Sequence, residues 1–165
     1  MRMLVLLVIF ASATSASAQE LAVGISESRD FWRNDPNLNL PESLNVAVAV
    51  PLSDRFALEP FASRGWVRQP YGREAQGLYG AQIRQRIARF SRPGTMVFVA
   101  YGVGGYYDGR AVRPPVATFI TAGFRHSLFG AIAVRPEVQL VNLFVLPTTL
   151  RAVVGVSIDF RRLSP

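Results

Sequence analysis

Eight charged side chains stand at alternate positions of the apolar, strand-like stretches of this chain: Glu59, Arg84, Arg86, Arg125, Arg135, Glu137, Arg151 and Asp159. Each falls on the small or polar face of a segment whose other face is apolar. If those segments wall a common interior, the eight converge in it. An unpaired buried charge is costly, so opposite charges there must pair. The chemistry expected of such a set is an ion-pair plug. The functional alternatives are a gated polar path, a small-anion site or a proton relay.

The chain's one histidine stands beside a serine, His126-Ser127, which invites a hydrolase reading. Nucleophilic catalysis needs a base within hydrogen-bond reach of the hydroxyl and a third group to orient that base. Neighbours on a strand point to opposite faces, so these two should not meet. A His-x-Ser spacing, which would put both on one face, is absent. Glu137 is expected inside while His126 is expected outside, as a polar aromatic at an interface. Gly102, Gly104 and Gly105 lie inside a strand pattern and have no strand-turn-helix context, so they form no phosphate loop. Cysteine is absent and no zinc spacing occurs, so neither metal nor cofactor is expected. Nor is catalysis.

All 18 basic residues are arginine, against 11 acidic residues. They are spread along the chain, with no helix-turn-helix pattern and no aromatic-basic RNA-binding signature, so a nucleic-acid partner is not expected. Residues 1–18 have a charged start, the apolar run Leu4 to Ala11, and small residues ending Ala16-Ser17-Ala18. That pattern predicts a cleaved secretion signal and a mature domain over 19–165. No later stretch reaches about 18 consecutive apolar residues, so any membrane crossing would have to use strands.

The elements that must position the charges are read from period-two alternation. It predicts eight strands: 20–26, 43–50, 55–66, 77–87, 95–107, 116–126, 132–144 and 150–160. The last is the plainest. Leu150, Ala152, Val154, Val156, Ile158 and Phe160 alternate with Arg151, Gly155, Ser157 and Asp159. About ten residues is the length of a tilted membrane-crossing strand. Alternation slips near Val141 and Asn142, which predicts a bulge or the membrane boundary there. Pro60 and Pro136 cannot donate to a ladder, so they leave the local register open or mark bulges. Phe56-Ala57-Leu58-Glu59-Pro60 echoes Ile132-Ala133-Val134-Arg135-Pro136, either as a duplicated half barrel or as two strands converging in equivalent settings. Connections 27–42, 67–76 and 108–115 are predicted long or polar, the one around Leu146-Pro147-Thr148 shorter, and 51–54, 88–94 and 127–130 tight. That alternation suits outer-membrane barrels, whose loops are long on one side only.

The stretch Gly123-Phe124-Arg125-His126 through Val134-Arg135-Pro136-Glu137, with Val154-Gly155-Val156-Ser157-Ile158-Asp159-Phe160, resembles the last hairpins of small bacterial outer-membrane barrels of the OmpA/OmpX-like group. The resemblance implies an all-β fold: an eight-stranded antiparallel up-and-down transmembrane β-barrel, monomeric, in the bacterial outer membrane. Its partners would be outer-membrane lipid, lipopolysaccharide and the barrel-assembly machinery. Such proteins often end on an aromatic residue, whereas here Phe160 is followed by Arg161-Arg162-Leu163-Ser164-Pro165, which would make the assembly signal internal. Tyr79, Tyr101, Tyr107, Trp66, Phe124 and Phe160 are expected in aromatic girdles. The outer loops carry Arg29, Arg33, Arg68, Arg73, Arg110 and Arg113, suited to phosphate, and Phe31-Trp32, suited to contact. The role expected is structural or surface interaction, with a plugged polar lumen. The rivals are a narrow channel for small polar solutes, a lipid-modifying enzyme near His126, and a soluble periplasmic lipocalin-like barrel.

Overall fold

The computed structural model describes residues 20–30, 43–69, 72–89, 94–107, 116–143 and 148–160. Eight antiparallel strands close into one barrel in chain order: β1 (Glu20–Asp30), β2 (Ser43–Pro51), β3 (Phe56–Gln69), β4 (Gly72–Arg89), β5 (Thr95–Tyr107), β6 (Val116–Phe129), β7 (Ile132–Leu143) and β8 (Thr149–Asp159). Closure comes from β1 pairing with β8, from Glu20↔Asp159 to Asp30↔Thr149. No strand edge is left along that seam, which is how a barrel escapes the edge problem. The signal segment, Arg33, Arg110, Arg113, Phe31-Trp32 and the tail 161–165 lie outside the described residues, as do the side chains of Arg29, Trp66, Arg68 and Arg73.

The two faces of the wall are inverted relative to a soluble barrel. Ile25, Val103, Tyr101, Val154 and Val156 are among the large apolar side chains exposed on the outside, while Glu59, Arg84, Arg125, Arg135 and Arg151 are buried within. A lipocalin-like barrel needs an apolar interior and a polar exterior, so this inversion removes that rival. Tyr79, Tyr101, Tyr107, Phe124 and Phe160 are exposed on the outer wall.

The boundaries differ from expectation where polarity masks pairing. The connection expected over 67–76 is mostly ladder, because β3 and β4 continue to pair through Val67↔Glu74 and Gln69↔Gly72. Backbone hydrogen bonds do not require apolar alternation. The slip near Val141 is not a bulge: β7 keeps its register with β6 through Phe119↔Val141 and Ala117↔Leu143. Val141 points inward and is fully buried against Phe61, Leu78, Tyr106, Ala117 and Phe119. Alternation fails there because the lumen itself turns apolar.

Both prolines interrupt the ladder on one side only, and neither marks a bulge, since the register is the same across each gap. β2–β3 pairing stops at Ala47↔Phe61 and resumes at Val50↔Leu58, whereas Pro60 still faces Ala81 on β4. β6–β7 pairing stops at Gly123↔Glu137 and resumes at His126↔Val134, whereas Pro136 still faces Val154 on β8. Proline supplies no N–H, which accounts for each gap. The two gaps correspond under the 76-residue offset that separates Glu59 from Arg135. The same offset carries Ala22↔Ala47 onto Phe98↔Gly123. The echo therefore marks equivalent stations in two three-strand units. The correspondence ends at the next hairpin, since Leu58↔Ile83 has no counterpart in β7–β8.

Close approach sets one cross-strand pair on the outer wall. Tyr79 lies opposite Gly105, and a Cβ built on Gly105 would stand 2.5 Å from the Tyr79 hydroxyl and 2.7 Å from Cζ. The ring covers the bare glycine, as aromatic residues do beside strand glycines. Tyr79→Ala is expected to cost about 0.5–1 kcal/mol, read as a lower urea midpoint of the folded barrel. Unchanged stability would show that the ring contributes no packing.

Candidate functional site

The lumen begins with parity. Inward residues of β3, β4, β6 and β7 include Glu59, Gln82 with Arg84, Arg125, and Arg135 with Glu137, because each strand turns alternate side chains inward. Closure then brings four distant segments within ion-pair range. Glu59 is wholly buried. Its Oε1 accepts from Arg135 Nη2 at 2.6 Å and Gln82 Nε2 at 2.7 Å, and its Oε2 lies 3.0 Å from Arg84 Nη1. Glu20, the first residue of β1, takes Arg84 Nη2 at 2.8 Å on one oxygen and Arg125 Nε at 2.9 Å on the other. Arg125 also reaches Asp159 at 3.8 Å, and Arg135 Nε pairs closely with Glu137. The result is a chain of alternating sign: Asp159, Arg125, Glu20, Arg84, Glu59, Arg135, Glu137.

Phe98 packs in the middle of this chain. The guanidinium carbons of Arg84 and Arg135 stand 5.5 and 4.9 Å from its ring centre. Aromatic faces attract cations, more so without water. Both guanidiniums also contact the Glu59 carboxylate, which offsets their mutual repulsion.

Of the eight residues singled out by sequence, Glu59, Arg84, Arg125, Arg135, Glu137 and Asp159 are brought together here. Arg151 is buried but holds neutral oxygens instead: Ser26 Oγ and Ser43 Oγ at 2.7 Å, Gln139 Oε1 at 3.1 Å, and Asn45 Oδ1. Arg86 stays out of the network. It is half-buried at the end of β4, beside the register shift between Arg86 and Ala88. Glu20, Gln82 and Phe98 were not singled out. Glu20 shares the inward parity of Ala22 and Ser26, which was the available signal.

Among the described residues, the side chains of the network are packed around one small hollow. A hollow of about 40 Å³ remains where Ala22, Gly24, Ala47 and Gly155 offer little bulk. One water needs roughly 10–15 Å³ of such space, so the hollow suits a few waters.

His126 and Ser127 do not meet. His126 Nδ1 shares a hydrogen bond of 2.7 Å with Thr95 Oγ1, and Ser127 Oγ accepts from Arg125 Nη1 at 3.1 Å. Among the described residues, no group of histidine and carboxylate side chains could hold a metal.

No protein-family model matches this chain, and no curated protein matches its sequence. Solved structures do match its fold. The N-terminal β-barrel domain of Pseudomonas aeruginosa OprF superposes with a TM-score of 0.62 at 11% identity, covering 87% of this chain and 99% of that one. Neisserial surface protein A gives 0.61 at 7% identity, over 88% and 98%. Ail, the attachment invasion locus protein of Yersinia pestis, gives 0.54 at 11% identity, over 86% and 97%. At such identities the likeness is one of fold: a small, closed, eight-stranded barrel.

Proposed function

We propose that this chain is an outer-membrane β-barrel whose lumen is plugged and whose role is structural or surface interaction. The observation that carries the plug is the Glu59–Arg135 pair, 2.6 Å across the interior and wholly buried at Glu59. An eight-stranded barrel is just wide enough for its side chains to fill, and here they interlock by charge. The apolar outer wall supports the membrane setting, since lipid is the solvent that such a surface suits. Lipid, lipopolysaccharide and the barrel-assembly machinery are the partners that this setting implies. Surface interaction is supported by the β3–β4 ladder, which continues past the last pairing of β2 with β3 at Ser43↔Gly65. A neighbour in fold bears the name attachment invasion locus protein, which agrees with that role without extending its partners to this chain.

Two measurements test the reading. In the outer-membrane fraction, unboiled protein should run differently from boiled protein in detergent gels. Recovery in the soluble periplasm without a shift would overturn the membrane setting. In planar bilayers, wild-type protein should show no sustained conductance. Glu137→Ala frees Arg135 Nε and should loosen the barrel or raise conductance. If neither stability nor conductance changes, the interlocked lumen is wrong.

A further inference from the structure

The lumen holds four carboxylates, Glu20, Glu59, Glu137 and Asp159, against Arg84, Arg125, Arg135 and Arg151. Among the described residues, Arg55 and Arg86 stand outside that network, at the end of the barrel that holds the β2–β3 turn and the last residues of β4.

That end has a shaped seat. A cleft of about 360 Å³ is lined by Arg55, Gln85, Arg86, Ile87 and Ala88. The Arg86 N–H donates to the Arg55 carbonyl oxygen at 2.8 Å, which ties the β2–β3 turn to the end of β4. The register shift at Arg86/Ala88 opens the strand at this point. Among the described residues, neither guanidinium has an ion-pair partner and no carboxylate lines the cleft. Ile87 and Phe56 are exposed beside it, and Leu52, Leu128 and Phe129 are exposed at the neighbouring turns. Two arginines lining the cleft, unpaired among the described residues, beside exposed apolar side chains match a phosphate group that carries acyl chains.

We propose that the Arg55–Arg86 cleft binds the phosphate headgroup of an anionic phospholipid in the leaflet at the termini-bearing end. This rests on the membrane reading above and adds a ligand to it. The headgroup phosphate accepts from both guanidiniums, and the acyl chains run along Ile87 and Phe56. Because the site lies at an aqueous interface, its attraction weakens with salt.

The test reconstitutes the refolded mature chain into phosphatidylcholine bilayer discs with and without phosphatidylglycerol. Native mass spectrometry then counts the lipid retained after release. Heat-dependent gel mobility is recorded on the same samples. Wild type should retain phosphatidylglycerol in preference to phosphatidylcholine. Arg55→Gln and Arg86→Gln should each lower that preference about fivefold. Arg64→Gln, exposed near the other end of β3, should leave it unchanged. Equal retention in the double variant R55Q/R86Q, or full displacement by inorganic phosphate, would overturn the headgroup site. Absence of any heat-dependent shift would instead overturn the membrane reading, and with it this site. If the double variant fails to fold, a wild-type protein without lipid preference still refutes the proposal.

Discussion

Glu59→Ala should destabilise the barrel by about 3–5 kcal/mol, the largest effect expected of any single lumen substitution. Glu59 holds Arg135 Nη2, Arg84 Nη1 and Gln82 Nε2 at once. Removing it takes a shared carboxylate from two buried guanidiniums that stand 5.5 and 4.9 Å from the Phe98 ring centre. Glu20 still holds Arg84 and Glu137 still holds Arg135, so the barrel should weaken without collapsing. The measurement is equilibrium unfolding in urea, followed by loss of the heat-modifiable band. Arg135→Ala should cost a similar amount. The double variant should cost less than the two single costs together, with a coupling of about 0.5–3 kcal/mol. Strict additivity would mean that the two residues act independently, and the interlocked lumen would be wrong.

The second large effect tests the outer wall. Val156 is exposed on the apolar side of β8, two residues from Val154 and opposite Val134 on β7. Val156→Arg should cost roughly 2–4 kcal/mol if the position lies near the bilayer midplane. Leu140→Arg on β7 should behave alike. The readout is folding yield and urea midpoint in vesicles. In a water-exposed wall the same changes would cost little, since surface substitutions usually stay within about 0.5 kcal/mol. A neutral result at both positions would therefore remove lipid from the outside of this barrel.

The sequence disclosed faces better than levels. Period-two alternation identified all eight strands and placed Glu59, Arg84 and Arg135 on the inner side, because parity depends only on neighbouring residues. Partners depend on how far each strand is staggered around the barrel, and no single strand records that. Hence the pairing of Glu20 with Arg84, 64 residues away, was not readable. Nor was the separation of Arg151 from the carboxylates. The β3–β4 extension was missed because its residues are polar on both faces, so hydropathy carried no signal while the backbone went on pairing. Val141 is the opposite case, where the expected bulge is absent: an inward apolar residue breaks the alternation without breaking the strand. The prolines were recognised as irregular from their missing N–H, but which neighbour would lose its ladder was settled only by the closed sheet.

Those two interruptions have a mechanical consequence. They fall at the β2–β3 and β6–β7 seams, which lie on opposite sides of the ring. The eight strands are thereby divided into two staves of four, β3 to β6 and β7 to β2. The Glu59–Arg135 bridge, rooted beside both prolines, runs from one stave to the other and so ties the cylinder across the very diameter at which its ladder is interrupted.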